Sequence, residues 1–231
     1  MARMLEAKID LKADRERALA MFDVSRETAA RLDRFVAVML AWQHRVNLIS
    51  PSTITSLWTR HVADSLQLLQ LTDPHINPPV WLDLGSGGGF PGVAIACALA
   101  DVPGACVHLV ESNMKKAAFL REAVRESRVP GIVHPVRIET LAPELGTSAD
   151  YVTARALAPL PDLLALVAPF LKKGAKALLL KGRDLDLELT EATKYWNIDA
   201  YQVPSKTDES GRILVVRTLS QRRCSEFATS H

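Results

Sequence analysis

Apolar residues recur at spacings of three and four through the first third of the chain. Leu32, Phe35, Val36, Met39, Leu40 and Val46 follow Ser25, a residue suited to capping a helix N-terminus, and together they predict a helix. Pro51 and Ser52 interrupt the pattern. Ile54, Leu57, Trp58, Val62, Leu66 and Leu69 then predict a second amphipathic helix. Residues 1–73 therefore read as a helical extension. Arg26, Arg31, Arg34, Arg45, Arg60 and His61 fall between the apolar stripes and read as a solvated face.

After Asp73-Pro74 and Pro78-Pro79 the pattern changes character. Short apolar runs at 80–84, 106–110, 132–138, 151–153 and 175–181 predict strands. Helical patterns at 93–100, 114–128 and 161–171 separate them, apart from the stretch before 151. Such alternation predicts an α/β fold with a mostly parallel sheet covered on both faces. After a helix at about 185–196, runs at 200–203 and 212–219 flank the polar, glycine-ended segment 206–211. That connection suits a hairpin, so the last strand is expected to run antiparallel.

Composition adds limits. At 231 residues and 48% apolar content, the chain can bury a core without disulfides or a structural metal. Net charge is +2, so any nucleic-acid contact must come from a local face. The three cysteines, Cys97, Cys106 and Cys224, are too widely spaced for a metal or redox pair. Charges at Arg3, Glu6, Lys8, Asp10 and Lys12 replace the apolar run of a signal peptide. No uncharged apolar stretch approaches the ~20 residues that span a bilayer. The chain reads as cytoplasmic, with monomer as the default state.

The segment Gly85-Ser86-Gly87-Gly88-Gly89-Phe90-Pro91-Gly92 is the most informative. It follows the first predicted strand and precedes a helix that Pro91 can open. Its glycines allow a sharp turn and close approach to a ligand at the strand's carboxyl end, where open α/β sheets bind ligands. Gly87-x-Gly89-x-x-Gly92 formally matches a dinucleotide fingerprint. The other register, Asp83-x-Gly85-x-Gly87-x-Gly89, sets an acid before the loop. That charge favours a cationic ligand such as S-adenosylmethionine (AdoMet), while a loop-capping role for Asp83 is compatible with it.

Glu111 ends the second strand, where a carboxylate can accept both ribose hydroxyls or can be an exposed strand-end charge. Ser112 beside it is suited to cap the next helix. Ile138-Glu139 ends the third predicted strand, where an apolar side chain can face adenine; Glu139 can equally be an ordinary surface residue. The fourth strand leads into Thr153-Ala154-Arg155-Ala156-Leu157-Ala158-Pro159, without the Asn/Asp-Pro-Pro loop that serves exocyclic amines. Guanine N7 carries a lone pair and no proton, so its methylation needs orientation more than a base. No catalytic side chain and no metal ligand is therefore assigned.

The loop, with upstream Arg60-His61-x-x-Asp64-Ser65-Leu66 and Trp42-x-x-x-x-Asn47-Leu48, resembles the RsmG (GidB) family of bacterial 16S rRNA methyltransferases. Ser112-Asn113-x-Lys115-Lys116-x-x-Phe119-Leu120, Ala154-Arg155-Ala156 and Leu180-Lys181-Gly182 extend the resemblance over about residues 25 to 220. It implies a class I, Rossmann-like AdoMet-dependent methyltransferase domain over 74–231. It also implies methyl transfer to N7 of guanine 527 in 16S rRNA, with naked rRNA or the small ribosomal subunit as partner. Carried over by position, cofactor contacts fall on Gly85, Phe90, Ile138 with Glu139, and Arg155; the loop reading adds Gly87, Gly89 and Glu111. The first two dozen residues, and Ala154 where serine is common, depart from the pattern.

Local positive charge marks candidates for RNA: Arg60, His61, Lys115, Lys116, Lys181 and Arg183, with Arg212, Arg217, Arg222 and Arg223 against Glu226 further on. One or two basic stretches, with Arg60 and His61, are expected to rim the cofactor cleft. The rival functions are an AdoMet-fold rRNA-binding or assembly factor without turnover, and an NAD(P)-dependent oxidoreductase.

Overall fold

The computed structural model describes residues 2–144 and 149–222 of the chain; Arg223, Cys224 and Glu226 lie outside them. Seven strands form one sheet in the order β3-β2-β1-β4-β5-β7-β6. β1 (Val80–Leu84) is paired in parallel with β2 (Cys106–Val110) on one side and β4 (Tyr151–Arg155) on the other. β3 (Gly131–His134) and β5 (Lys176–Lys181) extend the parallel region outward. β6 (Trp196–Pro204) and β7 (Arg212–Gln221) form the expected hairpin, with β7 antiparallel to both neighbours.

Strand periodicity sends side chains to two cores. Trp81, Val107 and Leu109 face one layer, packed by α2 (Arg26–Gln43), α4 (Gly92–Leu99) and α5 (Met114–Ser127). Leu82, Leu84, Val110, Val152 and Ala154 face the other, under α7 (Leu160–Leu171) and α8 (Leu185–Ala192). Phe35 and Met39 of α2 are fully buried in the first layer. Each such side chain is worth roughly 1.5–3 kcal/mol on burial. Ser25 caps α2 by accepting from the Thr28 N–H. α1 (Ala2–Ala20) is tied down by buried Asp14, which accepts from the Trp58 and Thr59 backbone N–H groups at 2.7 and 3.2 Å.

Several boundaries differ from expectation. The second amphipathic run is a helix of changing pitch: a 3-10 turn at Pro51–Ser56, a π turn at Trp58–Ala63, α3 at Asp64–Leu66 and a 3-10 turn at Gln67–Leu71. β3 stops at His134 because Pro135 has no N–H for the ladder, so Ile138 and Glu139 open α6 (Ile138–Glu144) rather than ending a strand. Asn113, not Ser112, caps α5, its side chain accepting from the Lys115 and Lys116 N–H groups. The helix near 185–196 ends at Ala192, and Trp196 starts β6, its indole buried against the second core.

Candidate functional site

The loop sits where strand order reverses, β2 leaving β1 on one side and β4 on the other. This is where open α/β sheets bind their ligands. Gly85, Gly87 and Gly89 have φ of +70°, +48° and +83°. Such left-handed conformations cost other residues roughly 1–2 kcal/mol each. Behind the loop, Gly92 is sterically obligatory, since a Cβ there would run into Leu109 and lie 2.6 Å from Asp83 Oδ2.

Asp83 is 1% exposed and faces the loop's own backbone. Its Oδ2 accepts from the Gly92 N–H at 3.1 Å, and its Oδ1 accepts from the Thr153 hydroxyl at 2.8 Å. Burial pushes its carboxyl up to about 6, against the pull of those hydrogen bonds. Asp83 is thus the loop-capping carboxylate at the start of α4, outside the cleft wall, and its charge is not presented to a ligand.

A cleft of about 320 Å³ opens above the strand ends. Small-molecule sites span roughly 300–1,000 Å³. Gly85 and Gly87 form its floor, Glu111 and Lys116 one flank, Ile138 and Glu139 another, and Arg155 to Ala158 the far side. So Gly85, Gly87, Glu111, Ile138, Glu139 and Arg155 converge on one space, Ile138 and Glu139 from a helix start and Arg155 from a strand end.

Glu111 is 9% exposed. Its Oε2 accepts from the Gly87 N–H at 3.0 Å and its Oε1 from the Asn113 N–H at 2.7 Å. An ionised carboxylate has about four acceptor positions, so two are left for donors in the cleft. A Cβ on Gly87 would project toward that carboxylate, 4.0 Å from Oε2 and 3.6 Å from the Gly85 carbonyl. The donor set fits a nucleoside: a carboxylate for vicinal hydroxyls, Ile138 and Leu157 as apolar walls, and a bare backbone bend beneath.

Gly89 and Phe90, also expected as cofactor contacts, are not among the residues that line this cleft. Phe90 is 7% exposed and packs behind the loop, its ring centroid 5.0 Å from Phe35 and 5.1 Å from His61. A Cβ on Gly89 would lie 2.8 Å from the Phe35 ring. The loop is therefore shaped from behind by the N-terminal helices.

Arg155 ends β4 between α3 and the cleft. Its Nη1 donates to His61 Nδ1 at 2.9 Å, its Nη2 donates to the Arg60 carbonyl at 2.9 Å, and Asp64 Oδ2 lies 3.6 Å away. A guanidinium only donates, so His61 Nδ1 is the acceptor and Nε2 carries the proton, donated to Thr53 Oγ1 at 2.9 Å. Burial, then Arg155 and Arg60, hold His61 down to about 3. His61 is 8% exposed and neutral, so it is no part of a cationic rim. Lys181 is likewise engaged, in a 2.6 Å ion pair with Glu188 on α8 and with its side chain 10% exposed.

Arg60, Lys115 and Arg183 are exposed, and Lys116 is half-buried at the cleft edge. Arg60 pairs with Asp208 at 3.1 Å. Sequence reasoning missed Ala156, whose φ of +49° puts a non-glycine residue in the left-handed region at the cleft wall. It also missed Glu188, which no local motif marks. Among the described residues no helix is long and apolar enough to cross a membrane.

Residues 28–214 match a family model described as rRNA small subunit methyltransferase G. The chain is 53% identical over 216 residues to the ribosomal RNA small subunit methyltransferase G of Bradyrhizobium sp. (strain ORS 278), covering 94% of this chain and 96% of that protein. It is 54% identical over 223 residues to the protein of the same name from Nitrobacter hamburgensis, covering 96% and 85%. The solved O-methyltransferase from Bacillus cereus in complex with SAH superposes with a TM-score of 0.57 at 15% identity, covering 88% of this chain and 96% of that one. That likeness is one of fold, the class I methyltransferase architecture.

Proposed function

Because the chain belongs to the rRNA small subunit methyltransferase G family, we propose that it transfers a methyl group from AdoMet to N7 of guanine 527 in bacterial 16S rRNA. The observation that carries the reading is the convergence of Gly85, Gly87, Glu111, Ile138 and Arg155 on one cleft at the switch point of the sheet. Glu111 takes the ribose hydroxyls with the lone pairs left over from Gly87 and Asn113. Ile138 and Leu157 enclose the adenine, and Gly85 and Gly87 admit the rest of the nucleoside against bare backbone. Bound there, AdoMet supplies a methyl group on a positively charged sulfur that departs as a neutral thioether.

Guanine N7 attacks with its in-plane lone pair, forming the N–C bond as the C–S bond breaks, and has no proton to lose. The chain's contribution is to orient the two reactants in line, which can be worth roughly 7–11 kcal/mol. Exposed Arg60, Lys115 and Arg183, with half-buried Lys116, attract the RNA backbone. The enzyme acts in the cytoplasm as a monomer on rRNA or the small subunit.

A tritiated-methyl assay on unmethylated 16S rRNA, naked and within the 30S particle, tests the reading. Label recovered on guanine N7 is the expected result. AdoMet binding without transfer to either substrate would instead mark a non-catalytic assembly factor.

A further inference from the structure

A second cavity, of about 250 Å³, lies on the other side of Arg155 and Ala156 from the cofactor cleft. Both residues line both spaces, so the two cavities share one wall. Lys181 and Glu188 belong to the lining of the second. Resting on the methyltransferase reading, we propose that this cavity receives the target guanine, extruded from its stack. Glu188 accepts from guanine N1–H and the 2-amino group, and Arg155 donates to O6.

Three observations support the assignment. Enzymes that modify a base ordinarily take it out of the stack into a fitted pocket and read its Watson–Crick edge there. Around the purine, O6 neighbours N7, with N1–H and the 2-amino group beyond. A guanine whose N7 faces the cofactor cleft therefore brings O6 to the shared wall and its Watson–Crick donors deeper. At the wall, Arg155 spends Nη1 on His61 and Nη2 on the Arg60 carbonyl. A guanidinium has five N–H groups, so donors are left.

The acceptor side is selective among three acids. Asp64 Oδ1 already accepts from Gln67 and Thr207, both at 2.7 Å, and its Oδ2 is paired with Arg155 at 3.6 Å. Asp208 is held by Ser210 and Arg60. Glu188 Oε2 accepts from the Leu160 N–H at 2.6 Å and pairs with Lys181 at 2.6 Å, while its Oε1 has no hydrogen bond among the described residues. Lys181 thus fixes the carboxylate and leaves one oxygen for the base. Adenine would set an amine against Arg155 and an unprotonated N1 against Glu188, leaving both groups unpaired, a mismatch that such sites reject strongly.

The test uses small subunits reconstituted with 16S rRNA carrying guanine or inosine at the methylated position. Inosine keeps O6 and N1–H but lacks the 2-amino group. The full-length wild type is expected to prefer guanine by roughly tenfold or more in kcat/KM, and Glu188→Ala to treat the two alike. The ratio is independent of the fraction of active protein, so a merely structural role for Glu188 would leave it unchanged. If Glu188→Ala makes no product, Glu188→Gln, which keeps an oxygen for the Leu160 N–H, is read by the same criterion. No discrimination by the wild type, or undiminished discrimination by the variant, overturns the cavity assignment alone. No transfer by the wild type to the guanine substrate overturns the methyltransferase reading, and this one with it.

Discussion

Arg155 holds its guanidinium against the unprotonated Nδ1 of His61 at 2.9 Å, a charged donor on a neutral acceptor 94 residues away in sequence. A second proton on His61 would break that bond and set two cations together. Unfolded histidine titrates near 6.5, whereas folded His61 is held near 3. Between those values the unfolded chain binds more protons, so this part of the stability is full above about 6.5 and is lost as pH falls toward 3. His61→Gln can still accept from Arg155 but cannot titrate. Thermal melts from pH 7 to 4 should show a shallower acid-side decline for the variant; parallel profiles would contradict the assignment.

Asp83 runs with the opposite sign. Its folded carboxyl is held near 6, above the ordinary 3.8. Its contribution is full below about 3.8 and lost as pH rises through 6, so the buried charge costs stability at neutral pH. Asp83→Asn should therefore gain on the wild type between pH 5 and pH 8, as read by urea unfolding. Asp83→Ala, which strands the Gly92 N–H, should lose roughly 1–3 kcal/mol.

Two glycines of the loop, Gly87 and Gly92, should fail in different ways. Gly87→Asp puts a carboxylate beside Glu111 without a steric clash at Cβ, at the cost of a left-handed φ of +48°. It should fold with a loss of roughly 1–2 kcal/mol while abolishing adenosylhomocysteine binding in a calorimetric titration. Gly92→Ala drives a methyl group into Leu109 and Asp83. That variant should be recovered unfolded or not at all.

Binding to rRNA should weaken steeply with salt, because phosphate contacts release counterions. Alanine at Lys115, Lys116 and Arg183 together should flatten the dependence of log Kd on log salt by about two to three units. Alanine at Lys181, which is spent on Glu188, should leave that slope nearly unchanged. Filter binding between 50 and 300 mM salt distinguishes the two.

The parallel sheet was legible because each strand is a short apolar run punctuated by glycine or proline, and the loop because its glycines have no other use in such density. Glu111 was legible from its place at a strand end. The role of His61 was not, since its neutrality depends on Arg155, 94 residues away, and on burial that no local pattern encodes. Ile138 and Glu139 line the cleft from a helix start and not from the expected strand end, because β3 stops before Pro135, four residues early. The pitch changes across 51–71 were also hidden: over segments of three to six residues, apolar spacings of three and four do not separate 3-10, α and π turns.

Phe35, on the second helix, stands against the back of Gly89 and Phe90. The glycine-rich bend is therefore a sandwich, with the strand ends on one side and that helix on the other. A chain shortened to begin at residue 74 would keep every cleft-lining side chain and still lose the mould that gives the bend its shape.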